Sequence, residues 1–177
     1  MDKDMFKKIL FKVAFCAMAC DGEIHPKEID ELKIMNKNTS YFSEIDLSDE
    51  LKQLVDDFKN KGVKVIEELF ELLKSTKLNP IQELLVLEVA LRIVNADERI
   101  DDNEIRFVNF LRSKLELHDE TILDRFGELD ILHTNEYLKN TISVISEKQF
   151  TNNVILPEIS ELIQVDLNES ENNSQAT

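Results

Sequence analysis

Two stretches of this chain are apolar on nearly every side of a helix, and they constrain its fold more than any other feature. Between residues 3 and 20, Phe6, Ile9, Leu10, Val13 and Ala17 recur at helical spacing, and Phe11, Phe15 and Met18 add apolar residues on the other faces. Between Ile81 and Ala96 the pattern returns, with Leu84, Leu85, Val86, Leu87, Val89, Ala90, Leu91, Ile93 and Val94. There Glu88 and Arg92 are spaced as an (i, i+4) pair along the one wet edge. A helix with so little polar face has to be enclosed by other elements. The longest apolar run, Ile9 to Cys20, contains Lys12 and falls short of the roughly 20 residues that cross a bilayer, so the enclosure expected is protein.

The sequence between and beyond these stretches is punctuated like a helical bundle. Asp21-Gly22-Glu23 breaks the first helix, with Gly22 suited to the left-handed conformation found at helix ends, and Pro26 opens the next as its first residue. That helix runs to about Asn38 on Ile29, Leu32 and Met35. Residues 40–75 hold two more, one capped by Ser48 and ending near Gly62, the other carrying Val65, Ile66, Leu69, Phe70 and Leu73. Asn79-Pro80 reads as a cap followed by a proline at the first helical position. Ile105, Val108 and Leu111 mark a helix over Asp101–Lys114, and another spans Asp119–Phe126. Two helices split near Asn152-Asn153 and Pro157 are expected over 134–165. Gly and Pro number three each, too few for the turns of a β protein. The expectation is all-α: a compact multi-helix bundle over 1–130, a C-terminal helical extension over 131–167, and a polar, disordered tail over 168–177.

Charge excludes several functions. With 36 acids against 21 bases the net charge is −15, a field that repels phosphate backbones and anionic membranes and favours cations or basic protein partners. No nucleic acid and no membrane insertion are therefore expected. The two cysteines form no disulfide framework and no secretory pattern opens the chain, so the cytoplasm is the expected location. A Gly-rich phosphate loop, HExxH and GxSxG are all missing, and no enzymatic activity is expected.

The two buried helices belong to an internal repeat with an offset of 76 residues. It aligns Val13-Ala14 with Val89-Ala90, Asp21 with Asp97, Ile24 with Ile100, Glu28 with Glu104 and Ile29 with Ile105. Each copy is a buried helix, an acidic loop and an amphipathic helix: two related helical hairpins around one core. Carboxylates are hard oxygen ligands for Ca²⁺ or Mg²⁺, and Asp21 with Glu28, or Asp97 with Glu104, could converge on one ion, helped by Glu23, Glu98 and Asp101. The first loop imitates the latter half of an EF-hand, but positions 1 and 3 would be Ala17 and Ala19, which offer no oxygen, so only weak binding is expected. The alternative needs no ion. Acids near helix starts favour the macrodipole, and Asp101 with Glu104 has the spacing of a capping box.

The loops Cys20-Asp21-Gly22-Glu23-Ile24-His25-Pro26-Lys27-Glu28 and Ala96-Asp97-Glu98-Arg99-Ile100-Asp101-Asp102-Asn103-Glu104 resemble the signature of the TerB (tellurite-resistance B-like) family, close to A-D-G-x-I-x-x-x-E. The first copy has Cys20 for Ala, and the second has Glu98 for Gly. The likeness covers roughly residues 5–130. It implies a compact all-α fold, a non-enzymatic role in stress or defence, and divalent-cation binding at Asp21, Glu28, Asp97 and Glu104. A similar domain occurs in a membrane-anchored J-domain co-chaperone. A metal-free adaptor or immunity-type protein with a basic protein partner is the competing expectation.

Other candidates are weaker. Cys16 and Cys20 lie four apart on one face of a buried helix and read as small core residues, since no second Cys or Cys/His pair completes a zinc site. His25 reads as a solvated turn residue, because calcium and magnesium prefer oxygen.

Overall fold

A computed structural model describes residues 2–97, 99–133, 147–159, 162 and 164–167. Residues 134–146 of the two helices expected over 134–165, and the expected tail at 168–177, lie outside these residues. Among the described residues there are nine helices and no strand. They are α1 (Lys3–Ala19), α2 (Pro26–Asn38), α3 (Leu47–Lys61), α4 (Lys64–Ser75), α5 (Pro80–Val94), α6 (Asp102–Ser113), α7 (Asp119–Phe126), α8 (Asp130–His133) and α9 (Glu147–Asn153).

The two apolar helices form the centre. α1 packs along α5, and the other helices enclose the pair: α3, α4 and α6 contact α1, while α2 and α6 contact α5. Phe11, Val13, Ala14, Phe15, Cys16 and Ala17 of α1, and Val86, Leu87, Val89, Ala90, Ile93 and Val94 of α5, are all fully buried. Aromatic contacts tie the enclosing layer to the centre. Phe11 meets Phe42 edge-on at 5.8 Å and Phe15 meets Phe58 at 5.3 Å between ring centroids. On the far side, Phe70 of α4 lies 5.7 Å from Phe107 of α6.

Three details differ from the sequence expectations. α3 is capped by Asp46, not Ser48: Asp46 Oδ1 accepts from the N–H groups of Ser48 (3.0 Å) and Asp49 (3.1 Å). Aspartate is the stronger acceptor at the positive end of a helix, and Leu47 is the first helical residue. Glu88 and Arg92 do not pair with each other. Glu88 takes Arg125 of α7 (2.7 Å) and the Tyr41 hydroxyl (2.7 Å), while Arg92 reaches Glu31 of α2 (2.6 Å). The wet edge of α5 thus holds neighbouring helices through longer-range charge-assisted bonds. Beyond α9 the expected second helix does not begin at once: residues 154–159 have no regular secondary structure, as Pro157 favours, and Leu162 and Gln164 lie in 3₁₀ turns.

That C-terminal segment is anchored to the bundle. Phe150 of α9 is buried and stacks on Phe110 of α6 at 5.3 Å, Thr151 donates to Glu67 of α4 at 2.7 Å, and Lys114 pairs with Glu147. Asn109, buried in α6, donates to the Ile105 carbonyl and to that of Ile131 (3.0 Å), holding α8 in place.

Candidate functional site: two joined acidic loops

Both acidic loops are built from the same hydrogen bonds, 76 residues apart. Asp21 Oδ1 accepts from the Glu23 N–H at 3.0 Å, and Asp97 Oδ1 accepts from the Arg99 N–H at 2.9 Å. Glu28 Oε2 accepts from the His25 N–H at 2.7 Å, and Glu104 Oε2 accepts from the Asp101 N–H at 2.8 Å. His25 and Asp101 are the N-caps of α2 and α6, so Glu28 and Glu104 each close a capping box. The sequence repeat is therefore a structural one, and both glutamates cap helices. Loop positions 1 and 3 of the imagined EF-hand, Ala17 and Ala19, belong to the last turn of α1 and are fully buried.

Because α1 and α5 pack side by side, their C-terminal ends bring the two loops together. Glu28 and Glu104 are almost wholly buried, at 3% and 4% exposure. Burial pushes the Glu28 carboxyl up to about 8, with Asp21, Glu104 and Asp97 adding repulsion. Burial likewise pushes Glu104 up to about 7, with Asp21, Asp101 and Asp97 adding to it. Asp21 is raised too, by burial first and then by Asp101 and Glu23. Asp21, Glu28, Asp97 and Glu104, from opposite halves of the chain, thus share one electrostatic neighbourhood, and Asp101 belongs to it as well. Glu98 lies outside the described residues, and Glu23 is exposed at the edge.

What the cluster lacks is equally informative. Among the described residues no Lys, Arg or His side chain forms an ion pair with any of these five carboxylates. In each of the five the recorded hydrogen bonds use one oxygen only: Oδ1 of Asp21, Asp97 and Asp101, and Oε2 of Glu28 and Glu104. One oxygen shapes the loop, and the other accepts no hydrogen bond from the described residues. Among the described residues no three His, Cys, Asp or Glu side chains converge closely enough to hold an ion by themselves.

Neighbouring soft ligands take no part. Cys16 and Cys20 are fully buried, and burial pushes Cys16 up to about 12 and Cys20 well above the usual thiol range. Both are core residues, as their place on α1 suggested. His25 is half-buried rather than solvated, and its Nδ1 accepts from the Lys27 N–H at 3.3 Å. This use of His25 as a cap was not visible in the sequence, where Pro26 alone marked the helix start.

The family model for the tellurite resistance protein TerB matches residues 10–124. The chain belongs to the TerB family. That match runs from α1 to α7 and contains both acidic loops of the TerB domain. It leaves α8, α9 and residues 154–159 outside. No curated protein and no solved structure matches the chain. Among the described residues no helix is long and apolar enough to cross a membrane.

Proposed function

We propose that this TerB-family chain is a non-enzymatic, cation-responsive interaction module of a stress-response or defence system. Its paired acidic loops, Asp21 and Glu28 with Asp97 and Glu104, would take up Ca²⁺ or Mg²⁺ weakly. The observation that carries this reading is the spare oxygen. Carboxylates raised to about 8 and about 7, with no ion pair and one oxygen each without a hydrogen bond among the described residues, gain when a divalent ion replaces their protons. The donor set is all carboxylate, which suits hard ions and disfavours zinc. Asp101 and water would complete the coordination, and the capping bonds would survive because they use the other oxygen.

Calorimetric titration of Ca²⁺ and Mg²⁺ into wild type, Asp21→Ala/Glu28→Ala and Asp97→Ala/Glu104→Ala tests it. Heat in the wild type, reduced in each double variant, is expected. No heat at millimolar ion would refute the cation role.

A second reading is favoured by the capping bonds of Glu28 and Glu104, which account for both glutamates without an ion. In it the loops stay metal-free and the acidic surface docks a basic protein partner. Capture of such a partner that is insensitive to chelator, and weakened by the same double variants, would select it.

A further inference from the structure

The N-terminal part of α1, at the opposite end of that helix from the acidic loops, borders an open cavity. α1, α3 and α4 pack pairwise, and between them lies a space of about 310 Å³. Its floor is apolar. Ile9 of α1 and Leu54 of α3 are buried there, Leu72 of α4 is half-buried, and Met5 stands exposed at the rim. The volume sits at the lower end of the roughly 300–1,000 Å³ typical of small-molecule sites. It admits one aliphatic chain or a small ring, and the unbranched side chain of Met5 can move to cover either.

The polar groups around this floor are unequally committed. Lys8 pairs with Glu50, and Lys61 pairs with Asp57 at 3.3 Å and with Glu68 at 3.0 Å, so each of these carboxylates has its own ammonium. Lys12, which lines the cavity, has the weakest contact. Its ion-pair partner among the described residues is Glu68 Oε2, at 4.0 Å, the oxygen that Lys61 already holds. The repeat shows how a committed group looks at this place. Lys12 corresponds to Glu88 at the 76-residue offset, and Glu88 accepts at 2.7 Å on each oxygen, from Tyr41 and from Arg125.

We propose that this cavity binds a small amphipathic carboxylate, a single aliphatic chain ending in one carboxylate, with the chain on Ile9, Leu54 and Leu72 and the carboxylate on Lys12. Size and charge both select this class. The space is too small for a two-chain lipid. The half-buried Lys12 ammonium beside an apolar floor gains more from an entering carboxylate at hydrogen-bond distance than from a distant, shared Glu68. Lys8, Lys12 and Lys61 balance Glu50, Asp57 and Glu68, so the −15 charge of the whole chain is cancelled locally and an anion is not turned away at the mouth. The site is independent of the cation reading of the acidic loops.

The test titrates decanoate into the full chain, followed by calorimetry and by methyl and amide resonances. Saturable shifts at Met5, Ile9, Leu54 and Leu72 are expected, with the amides of the acidic loops unmoved. Octanoate, shorter by a pair of methylenes, should bind about tenfold more weakly. Lys12→Gln should weaken decanoate about tenfold and leave decanol unchanged, a split that damage to the fold would not produce. Gln53 lines the cavity and is exposed, so Gln53→Trp fills the mouth without entering the core and should abolish binding of both. The proposal is overturned if millimolar decanoate gives no saturable shifts, if the shifts centre elsewhere on the chain, if Lys12→Gln changes decanoate and decanol equally, or if Gln53→Trp keeps full affinity.

Discussion

Replacing Glu28 and Glu104 by glutamine separates the two duties of these side chains. Glutamine still closes a capping box, as Gln82 does in α5, where its Oε1 accepts from the Asn79 N–H at 3.0 Å. It cannot titrate. In the wild type the native state holds protons on Glu28 up to about pH 8 and on Glu104 up to about pH 7, while the unfolded chain releases both near pH 4.5. The native state therefore binds more protons across that interval, and stability must fall as pH rises through it. Taken at face value the Glu28 displacement alone corresponds to about 5 kcal/mol at 1.4 kcal/mol per pH unit. Solvent reaches the loops, whose Asp97 is only half-buried and Asp101 exposed, so about 2 kcal/mol for the pair is the working magnitude. For a chain of this length that is about 4–8 °C in thermal midpoint. Melting by circular dichroism in chelator should give equal midpoints for wild type and Glu28→Gln/Glu104→Gln at pH 5. At pH 8.5 the variant should be higher by that margin. Parallel pH profiles, or a variant less stable at pH 8.5, would refute the claim that the loops hold carboxylates under electrostatic strain. Adding Ca²⁺ at pH 8.5 should raise the wild type and leave the variant unmoved if the cation reading holds.

Three further outcomes follow from the packing. Phe150→Ala should cost about 3 kcal/mol by denaturant titration, since the ring is buried and stacked on Phe110. Asp46→Ala should cost about 1 kcal/mol by removing the cap of α3, whereas Ser48→Ala should fall within a few tenths. Native Cys16 and Cys20 should resist thiol reagents at pH 8 and react only as fast as the chain opens, because burial raises both thiols. Rapid labelling of either in the folded protein would contradict the placement of α1.

The helices were legible because their signals are local. The apolar periodicity of α1 and α5, the breaks at Gly22 and Gly62, and the prolines at 26 and 80 place most boundaries within a residue or two. The repeat was legible for the same reason, since duplicated caps demand the same residue types at the same offset. What remained hidden depends on contacts between distant parts of the chain. Whether Asp21 and Glu28 would face Asp97 and Glu104 turns on how α1 packs against α5, which an all-round apolar surface leaves open. Glu88 and Arg92 were four apart and of opposite sign, but Tyr41, Arg125 and Glu31 arrive from elsewhere and take both. The approach of Ile155 to Gly22 was hidden in the same way, because Gly22 served equally well as a helix end.

Capping and ion binding look like rival accounts of the acidic loops only while each carboxylate is counted as a single group. A carboxylate has two oxygens, and the recorded geometry assigns them separately. Capping explains why Glu28 and Glu104 are glutamate or glutamine; it does not explain why two such caps adjoin, buried, with Asp21, Asp97 and Asp101 around them and, among the described residues, no lysine or arginine paired with any. A chain under selection for helix ends alone could replace either glutamate by glutamine and lose the repulsion at no cost to the cap. Glutamate in both copies suits the cation reading proposed above, and a cation would compete best for these carboxylates above their raised values. The glutamine variant and the calcium titration are in this sense one experiment, because the first measures the strain and the second asks what relieves it.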